Sequence, residues 1–402
     1  MQHVLKSERP HISFFGCTNS GKSSLVNAIT NQQLSVVSDI KGTTTDPVLK
    51  SMEILPLGPV VIIDTAGVND VGELGRLRIE KTKQILDKTD IAVLVVDSTI
   101  GETDSDKEFR AEFEKRKLPY IVVYNKSDIN SGSFSLSRPE ALIVSALTGE
   151  GVHALKEKLG HIIQESKQEK FIIKDKLNAG DTIVMVIPID ESAPKGRIIL
   201  PQQNILREIL DAQAIAICCQ PDELPQVLKA LTPKFVITDS QVFNKVKDVV
   251  PETMILTSFS ILMANYKGEL DLLLAGASKL SALKNGDRIL ISESCTHHRQ
   301  CNDIGTVKLP KWIKQFTGKE LSFEFTQGSE FPQDLSDYAL IVHCGGCMSN
   351  EAEIRSRFNR AIEQNVPIVN YGMAIAYMNG ILKRSMEIYK DRFNNLFGTS
   401  NE

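Results

Sequence analysis

The stretch Gly16-Cys17-Thr18-Asn19-Ser20-Gly21-Lys22-Ser23 fits the spacing G-x-x-x-x-G-K-[ST]. Glycines at both ends let such a loop turn tightly, so backbone N–H groups can wrap a phosphate chain at a helix N-terminus. Lys22 would reach the β- and γ-phosphates and Ser23 would ligate Mg²⁺. Gly16, Asn19, Ser20, Gly21, Lys22, Ser23 and Ser24 form the expected phosphate-binding set. Asp64-Thr65-Ala66-Gly67 adds a carboxylate, Asp64, to hold Mg²⁺ through water, and the Gly67 N–H to contact the γ-phosphate. Asn125-Lys126-Ser127-Asp128 and Ser145-Ala146-Leu147 address the base. The Asp128 carboxylate can accept the N1–H and the N2 amino proton of guanine. Adenine lacks that donor pair and leaves the carboxylate unpaired. Ser145 and Ala146 lie where a backbone N–H can meet the guanine O6. These elements, in order, predict GTP binding and hydrolysis, with Lys22, Asp64 and Gly67 at the reacting phosphate.

A second constellation lies far along the chain. Cys295-Thr296-His297-His298 and His343-Cys344-Gly345-Gly346-Cys347 bring three thiols and flanking imidazoles. Cys344 and Cys347 can face one centre around the Gly-Gly turn, whose backbone can approach sulfur and donate N–H to it. Three thiolates with an imidazole permit a structural zinc site. They equally permit a four-iron cluster with one iron open to an exchangeable ligand. Cys301 is a further candidate ligand, and unligated structural cysteines are the bland alternative. Cys17, Cys218 and Cys219 read as packing residues.

Both constellations need elements to position them. From 11 to 165, short apolar runs (His11–Phe15, Val60–Ile63, Ile91–Asp97, Tyr120–Tyr124, Ala141–Val144) alternate with helical patterns such as Ser23–Thr30 and Glu73–Leu86. Such alternation predicts a doubly wound, mostly parallel sheet. The motifs fall at the ends of its strands. Beyond 178 the α/β alternation resumes, with strands expected at Thr182–Ile187, Ala214–Cys219, Phe235–Thr238, Met254–Thr257, Arg288–Ser292, Ala339–His343 and Pro367–Asn370. Helices are expected at Asn204–Leu210, Gln241–Val250 and Asn350–Asn365. The fold class is therefore α/β, a P-loop GTPase domain followed by two smaller α/β domains. Expected boundaries are 1–174, 175–265 and 266–402. The chain of 402 residues carries a net charge of −4 with acids and bases interspersed, which argues against a nucleic-acid or anionic-membrane surface. No apolar run is long enough to cross a bilayer and no signal peptide opens the chain, so a cytoplasmic protein is expected. Seven cysteines in that compartment point to metal rather than disulfides.

The G-domain motifs resemble the tRNA-modification (MnmE/TrmE) and Era-like branch of translation-factor-like GTPases. Asn19 in the P-loop and Ser38-Asp39-Ile40-Lys41-Gly42-Thr43-Thr44-Thr45-Asp46, similar to that branch's D-x-x-G-T-T-R-D, carry the likeness. Val68 stands where Ras-like proteins have a water-orienting Gln, and Thr45 stands where the branch usually has Arg. The resemblance implies a K⁺ ion held by Asn19, Ser38, Ile40 and Thr43, with Thr44 on Mg²⁺ and among the catalytic groups. Glu73 is a weak candidate base. The C-x-H pattern, about 45 residues before H-C-x-x-C, behind such a G domain resembles the [FeFe]-hydrogenase maturation GTPase (HydF) family across the whole chain. That resemblance implies a middle dimerisation domain and a homodimer. It implies a [4Fe–4S] cluster on Cys295, Cys344 and Cys347, with His297 and His343 matching the motif histidines. It further implies delivery of a di-iron precursor to apo-[FeFe]-hydrogenase, with radical-enzyme maturases as partners. An Era-like RNA- or ribosome-associated GTPase with structural zinc is the alternative. It calls for a basic surface or RNA module after residue 178, and neither is visible in the sequence.

Overall fold

The structure is a computed structural model and describes residues 9–31, 48–55, 57–65, 67, 81–129, 141–166, 170–189, 198–294, 303–346 and 349–398. The chain forms two compact units, Met1–Gln168 with Asn350–Ser356, and Glu169–Ser349 with Arg357–Glu402. Of the sites expected from sequence, Ser38, Ile40, Thr43, Thr44, Cys295, His297 and Cys347 lie outside the described residues, as do Val68, Glu73 and Cys301.

The first unit is built on a six-stranded sheet of order β2-β3-β1-β4-β5-β6. Its strands are β1 (His11–Phe15), β2 (Val48–Ile54), β3 (Gly58–Asp64), β4 (Ile91–Asp97), β5 (Tyr120–Asn125) and β6 (Leu142–Ile143). All pairs are parallel except β2 with β3, which is antiparallel. The inner strands β3, β1, β4 and β5 are largely apolar because both faces are covered. Alternation along β4 shows this. Ile91, Val93 and Val95 join one core with Leu25, Ile29 and Leu159, while Ala92, Leu94 and Val96 join the other with Phe109 and Phe113. Phe109 and Phe113 are one helical turn apart on helix Asp104–Lys115, so both face the sheet. That helix starts at a capping box in which the Thr103 and Asp106 side chains each bond the other's backbone N–H, a feature worth about 1 kcal/mol. Strand β2 is absent from the sequence expectation. It is an edge strand with Leu49, Lys50, Ser51 and Glu53 exposed, so it shows no apolar run.

The second unit holds two four-stranded, wholly parallel sheets, β10-β9-β7-β8 and β12-β11-β13-β14. The first comprises β7 (Thr182–Val186), β8 (Ile215–Cys219), β9 (Phe235–Thr238) and β10 (Ile255–Ser258). The second comprises β11 (Arg288–Glu293), β12 (Ser322–Gln327), β13 (Leu340–His343) and β14 (Ile368–Asn370). β8 is an edge strand and only partly covered: Cys219 is buried, whereas Cys218 is exposed and is not a packing residue. Helix Leu270–Ser278 lies so close to β14 that a Cβ on Gly276 would stand 1.8 Å from the Ile368 carbonyl oxygen.

Candidate functional site

β1, β3, β5 and β6 run parallel, so their C-terminal ends share one edge of the sheet, the usual ligand side of an open α/β fold. The loop after β1 needs its glycines. Gly16 has φ 142° and a Cβ there would sit 2.2 Å from the Val95 carbonyl oxygen. Gly21 has φ 86° and its Cβ would meet the Asn125 Nδ2 at 2.2 Å. Asn19 takes the left-handed conformation at φ 64°, which Asn tolerates better than most residues. Helix Lys22–Thr30 opens directly from the loop. Lys22 Nζ donates to the carbonyls of Gly16 (3.0 Å) and Cys17 (2.8 Å). Burial pushes its pKa down to about 8, against the pull of Asp64. Ser23 Oγ donates to Asp64 Oδ2 at 2.7 Å, while Ser24 is half-buried in the first turn.

Three polar atoms at this edge are buried with no hydrogen-bond partner among the described residues: Thr18 Oγ1, Ser20 Oγ and Asp64 Oδ1. Buried polar groups are normally paired. A hydroxyl and a carboxylate oxygen left over beside Ser23 fit a hard, oxygen-seeking cation and a phosphate chain. Gly67 presses on the loop, since a Cβ there would stand 2.6 Å from the Thr18 Cα. Thr18 is a contact that the motif spacing does not mark.

On the base side, Asn125 ties two loops together. Its Nδ2 donates to the Ser20 carbonyl at 3.0 Å, and its Oδ1 accepts from the Ala146 N–H at 3.0 Å. Lys126, at φ 68°, donates to Asp97 Oδ2 at 2.6 Å. Burial would raise the Asp97 pKa, but hydrogen bonds from Lys126 and Thr99 outweigh it and hold the carboxyl below its usual value. Asp128 is exposed and accepts from Ser145 Oγ at 2.5 Å, while Ser145 in turn accepts from the Thr148 N–H. The Asp128 carboxylate is thus oriented by the next loop. Asp97 was not anticipated from sequence, although its position at the end of an apolar strand was visible. Cys17 Sγ lies 3.1 Å from Thr103 Oγ1 and burial pushes its thiol up, as suits a packing residue.

The cysteine–histidine turns are organised by the parallel pairing of β11 and β13, in which Ser292 stands opposite His343. The strands therefore end together. The Cys344 N–H donates to the Ser292 carbonyl, and Cys344 Sγ lies within reach of three donors: Ser294 N–H (3.2 Å), Ser294 Oγ (3.0 Å) and Gly346 N–H (3.4 Å). Gly346 takes φ 59° to make its contact. Ser294 immediately precedes Cys295, and Gly346 immediately precedes Cys347. His343 is fully buried, and burial pushes its pKa below the ordinary imidazole value. Its Nδ1 bonds the Cys344 carbonyl at 2.6 Å, which requires the proton there, and Nε2 faces Arg357 Nη1 at 3.3 Å. Both ring nitrogens are engaged in this structure, and His343 braces Cys344 from behind. Among the described residues no group of three or more His, Cys, Asp or Glu side chains gathers for a metal ion.

Residues 172–268 match the model of the hydrogen maturase F dimerization domain, and residues 271–388 that of the hydrogen maturase F tetramerization domain. The chain belongs to the hydrogen maturase F family. Residues 11–126 match a GTPase domain model described as 50S ribosome-binding GTPase. Over its N-terminal part the chain is similar to GTPase Der of Wolinella succinogenes, 37% identical over 163 residues, which is 37% of this chain and 34% of that protein. It is also similar to the tRNA modification GTPase MnmE of Laribacter hongkongensis, 36% identical over 162 residues, covering 39% and 36% respectively. The chain thus spans about a third of the length of these curated relatives. Among solved structures, translation elongation factor SelB of Methanococcus maripaludis matches 47% of this chain and 40% of its own, at 19% identity and a TM-score of 0.33.

N–H and O–H groups aimed at sulfur favour a thiolate over a neutral thiol, and a thiolate is the form that binds iron or zinc.

Proposed function

We propose that the chain is a GTP-hydrolysing scaffold that carries a [4Fe–4S] cluster and delivers a di-iron precursor to apo-[FeFe]-hydrogenase. In this reading, 1–174 is the GTPase domain, 175–265 the dimerisation domain and 266–402 the cluster domain. Cys295, Cys344 and Cys347 would hold the cluster, which would supply a Lewis-acidic iron for attachment of the precursor. The observation that carries the reading is the paired end of β11 and β13. There the residue preceding Cys295 hydrogen-bonds the sulfur of Cys344. The two successive hydrogen maturase F matches support it over an Era-like ribosome-associated GTPase. A homodimer is the working assembly, with the hydrogenase apoprotein and radical-enzyme maturases as partners. Among the described residues no helix is long and apolar enough to cross a membrane.

For GTP, the chain's own groups divide the work. Lys22 leaves the Gly16 and Cys17 carbonyls to meet the β- and γ-phosphates, where its charge stabilises the transferring phosphoryl group. Ser23, Asp64 and Thr44 would hold Mg²⁺, which would supply positive charge to the phosphates. Asp128 and the Ala146 N–H read guanine. K⁺ at Asn19, Ser38, Ile40 and Thr43 would add positive charge where Val68 offers no water-orienting side chain.

Anaerobic reconstitution with iron and sulfide tests the cluster. The protein should turn brown and, once reduced, give a [4Fe–4S] electron-paramagnetic signal. Cys344→Ser should abolish that signal and leave GTP turnover within about twofold, since the two sites use separate sheets. A colourless protein holding one zinc ion contradicts the proposal.

A further inference from the structure

One side chain from the dimerisation segment reaches the cluster turn. Lys267 follows helix Phe259–Tyr266, and its backbone is fixed there: its N–H bonds the Met263 carbonyl, and the Gly268 and Glu269 N–H groups close onto Asn265 and Ala264. From that anchor its ammonium donates to the Gly345 carbonyl at 3.0 Å and the Gly346 carbonyl at 2.6 Å. Those are the two residues between Cys344 and Cys347. Lys267 lies in the segment matching the dimerization domain, 172–268, whereas the turn lies in the segment matching the tetramerization domain, 271–388. Both belong to the same compact unit.

A peptide group is planar, so tying a carbonyl also aims the N–H on its other side. The Gly345 carbonyl and the Gly346 N–H belong to one peptide unit. Holding that carbonyl on Lys267 turns the N–H the opposite way, toward the Cys344 Sγ it meets at 3.4 Å. The ammonium also acts as a charge. It stands fixed against the carbonyls of the two residues that follow Cys344. Hydrogen bonds to sulfur and nearby net charge are among the factors that set the potential of an iron–sulfur cluster.

We propose that Lys267 is a positioning residue for the cluster. It clamps the Cys-Gly-Gly turn in its thiolate-binding form and raises the cluster's reduction potential with a fixed positive charge. This rests on the cluster reading above. The test uses the full chain as wild type, Lys267→Met, Lys267→Gln and Lys267→Arg. In the metal-free protein, amide hydrogen exchange in the peptide spanning Gly345 and Gly346 should quicken at least tenfold in the Met and Gln variants and stay near wild type in the Arg variant. After anaerobic reconstitution, a redox titration followed by electron paramagnetic resonance should show the Met and Gln clusters at least tenfold harder to reduce at a given potential. That is 59 mV for a one-electron couple. Denaturant unfolding of the second unit should match wild type and reports that its fold is intact, and GTP turnover in the first unit should be unchanged. Met and Gln variants that match wild type in either the exchange rate or the midpoint overturn the proposal. If the wild type itself forms no cluster, the cluster reading fails. The exchange measurement then decides the clamp alone.

Discussion

Lys22 offers a test in which one proton reports on the empty phosphate site. Its ammonium is buried and bonded to two carbonyls, with a pKa pushed down from 10.5 to about 8 by burial. Bound phosphates restore the charged form, because several negative oxygens then face the ammonium. Nucleotide binding therefore takes up a proton wherever the empty protein has lost it. At pH 7 about one in ten empty molecules carries a neutral Lys22, and at pH 9 about one in ten still carries a charged one. Affinity for Mg-GDP should accordingly fall about tenfold, or roughly 1.4 kcal/mol, between pH 7 and pH 9. The sign follows from linkage: the bound state holds more protons than the free state, so raising pH favours the free state. Calorimetric titration at both pH values, in buffers of different ionisation enthalpy, measures affinity and proton uptake together. Lys22→Arg is the control, since a guanidinium stays charged throughout and subtracts any titration of the nucleotide itself. Equal wild-type affinity at the two pH values refutes the reasoning. So does a parallel decline in the arginine variant.

Three further outcomes follow from the same geometry. Asn125→Ala removes the bridge between the Ser20 carbonyl and the Ala146 N–H and leaves both groups without it, so nucleotide affinity should drop by about 10–100-fold, read by titration with a fluorescent guanine nucleotide. Gly276→Ala forces a methyl into a gap 1.8 Å from the Ile368 carbonyl oxygen. It should cost about 1–3 kcal/mol in denaturant unfolding of the second unit while nucleotide binding in the first holds. GTP turnover should run several-fold faster in K⁺ than in Na⁺, and Asn19→Ala should remove that difference without abolishing binding, so equal rates in the two salts would sink the assigned ion.

What could be read from the residues and what could not divides along physical lines. The phosphate loop was legible because Gly16 and Gly21 each occupy a place where a Cβ would strike a neighbour, and such requirements leave spaced glycines in the sequence. The strands of the first sheet were legible because burial on both faces makes each an unbroken apolar run. Edge strand β2 was not, because its outer residues are polar. Helices Phe259–Tyr266, Leu270–Ser278 and Tyr371–Met378 were not separated from strands either. Each is buried on most sides and lacks the polar stripe that marks a surface helix. Helix Gln241–Val250 proved shorter, Phe243–Lys247, and Asn204–Leu210 proved longer, Leu200–Asp211. Within the sites, residue type announced Lys22, Asp128 and Cys344. It could not announce Asp97 under Lys126, Arg357 behind His343 or Lys267 on the glycine carbonyls. Those partners come from elsewhere in the chain, and only the fold joins them.

His343 shows why a motif letter is not a ligand. Its spacing to Cys344 and Cys347 would suit a metal-binding imidazole, and the sequence alone leaves that option open. In this structure the strand register places it among other partners. His343 is the last residue of β13 and lies opposite Ser292, in the middle of a parallel sheet where side chains point into packed faces. Cys344 is the first residue past the ladder, where the backbone is released to turn. One step along the chain therefore separates a side chain held by Arg357 and Phe358 from a sulfur with three donors aimed at it. The same step occurs at Phe15 and Gly16, and at Tyr124, Asn125 and Lys126, in the first sheet. In each case the residue still in the ladder packs or braces, and the expected ligand-binding residues lie at the ladder's last position or just beyond it. Conserving the ladder residue's bulk while changing its chemistry should therefore perturb stability before it perturbs binding. His343→Gln, which keeps polar contacts to both Cys344 and Arg357, is the substitution in which metal loading should survive.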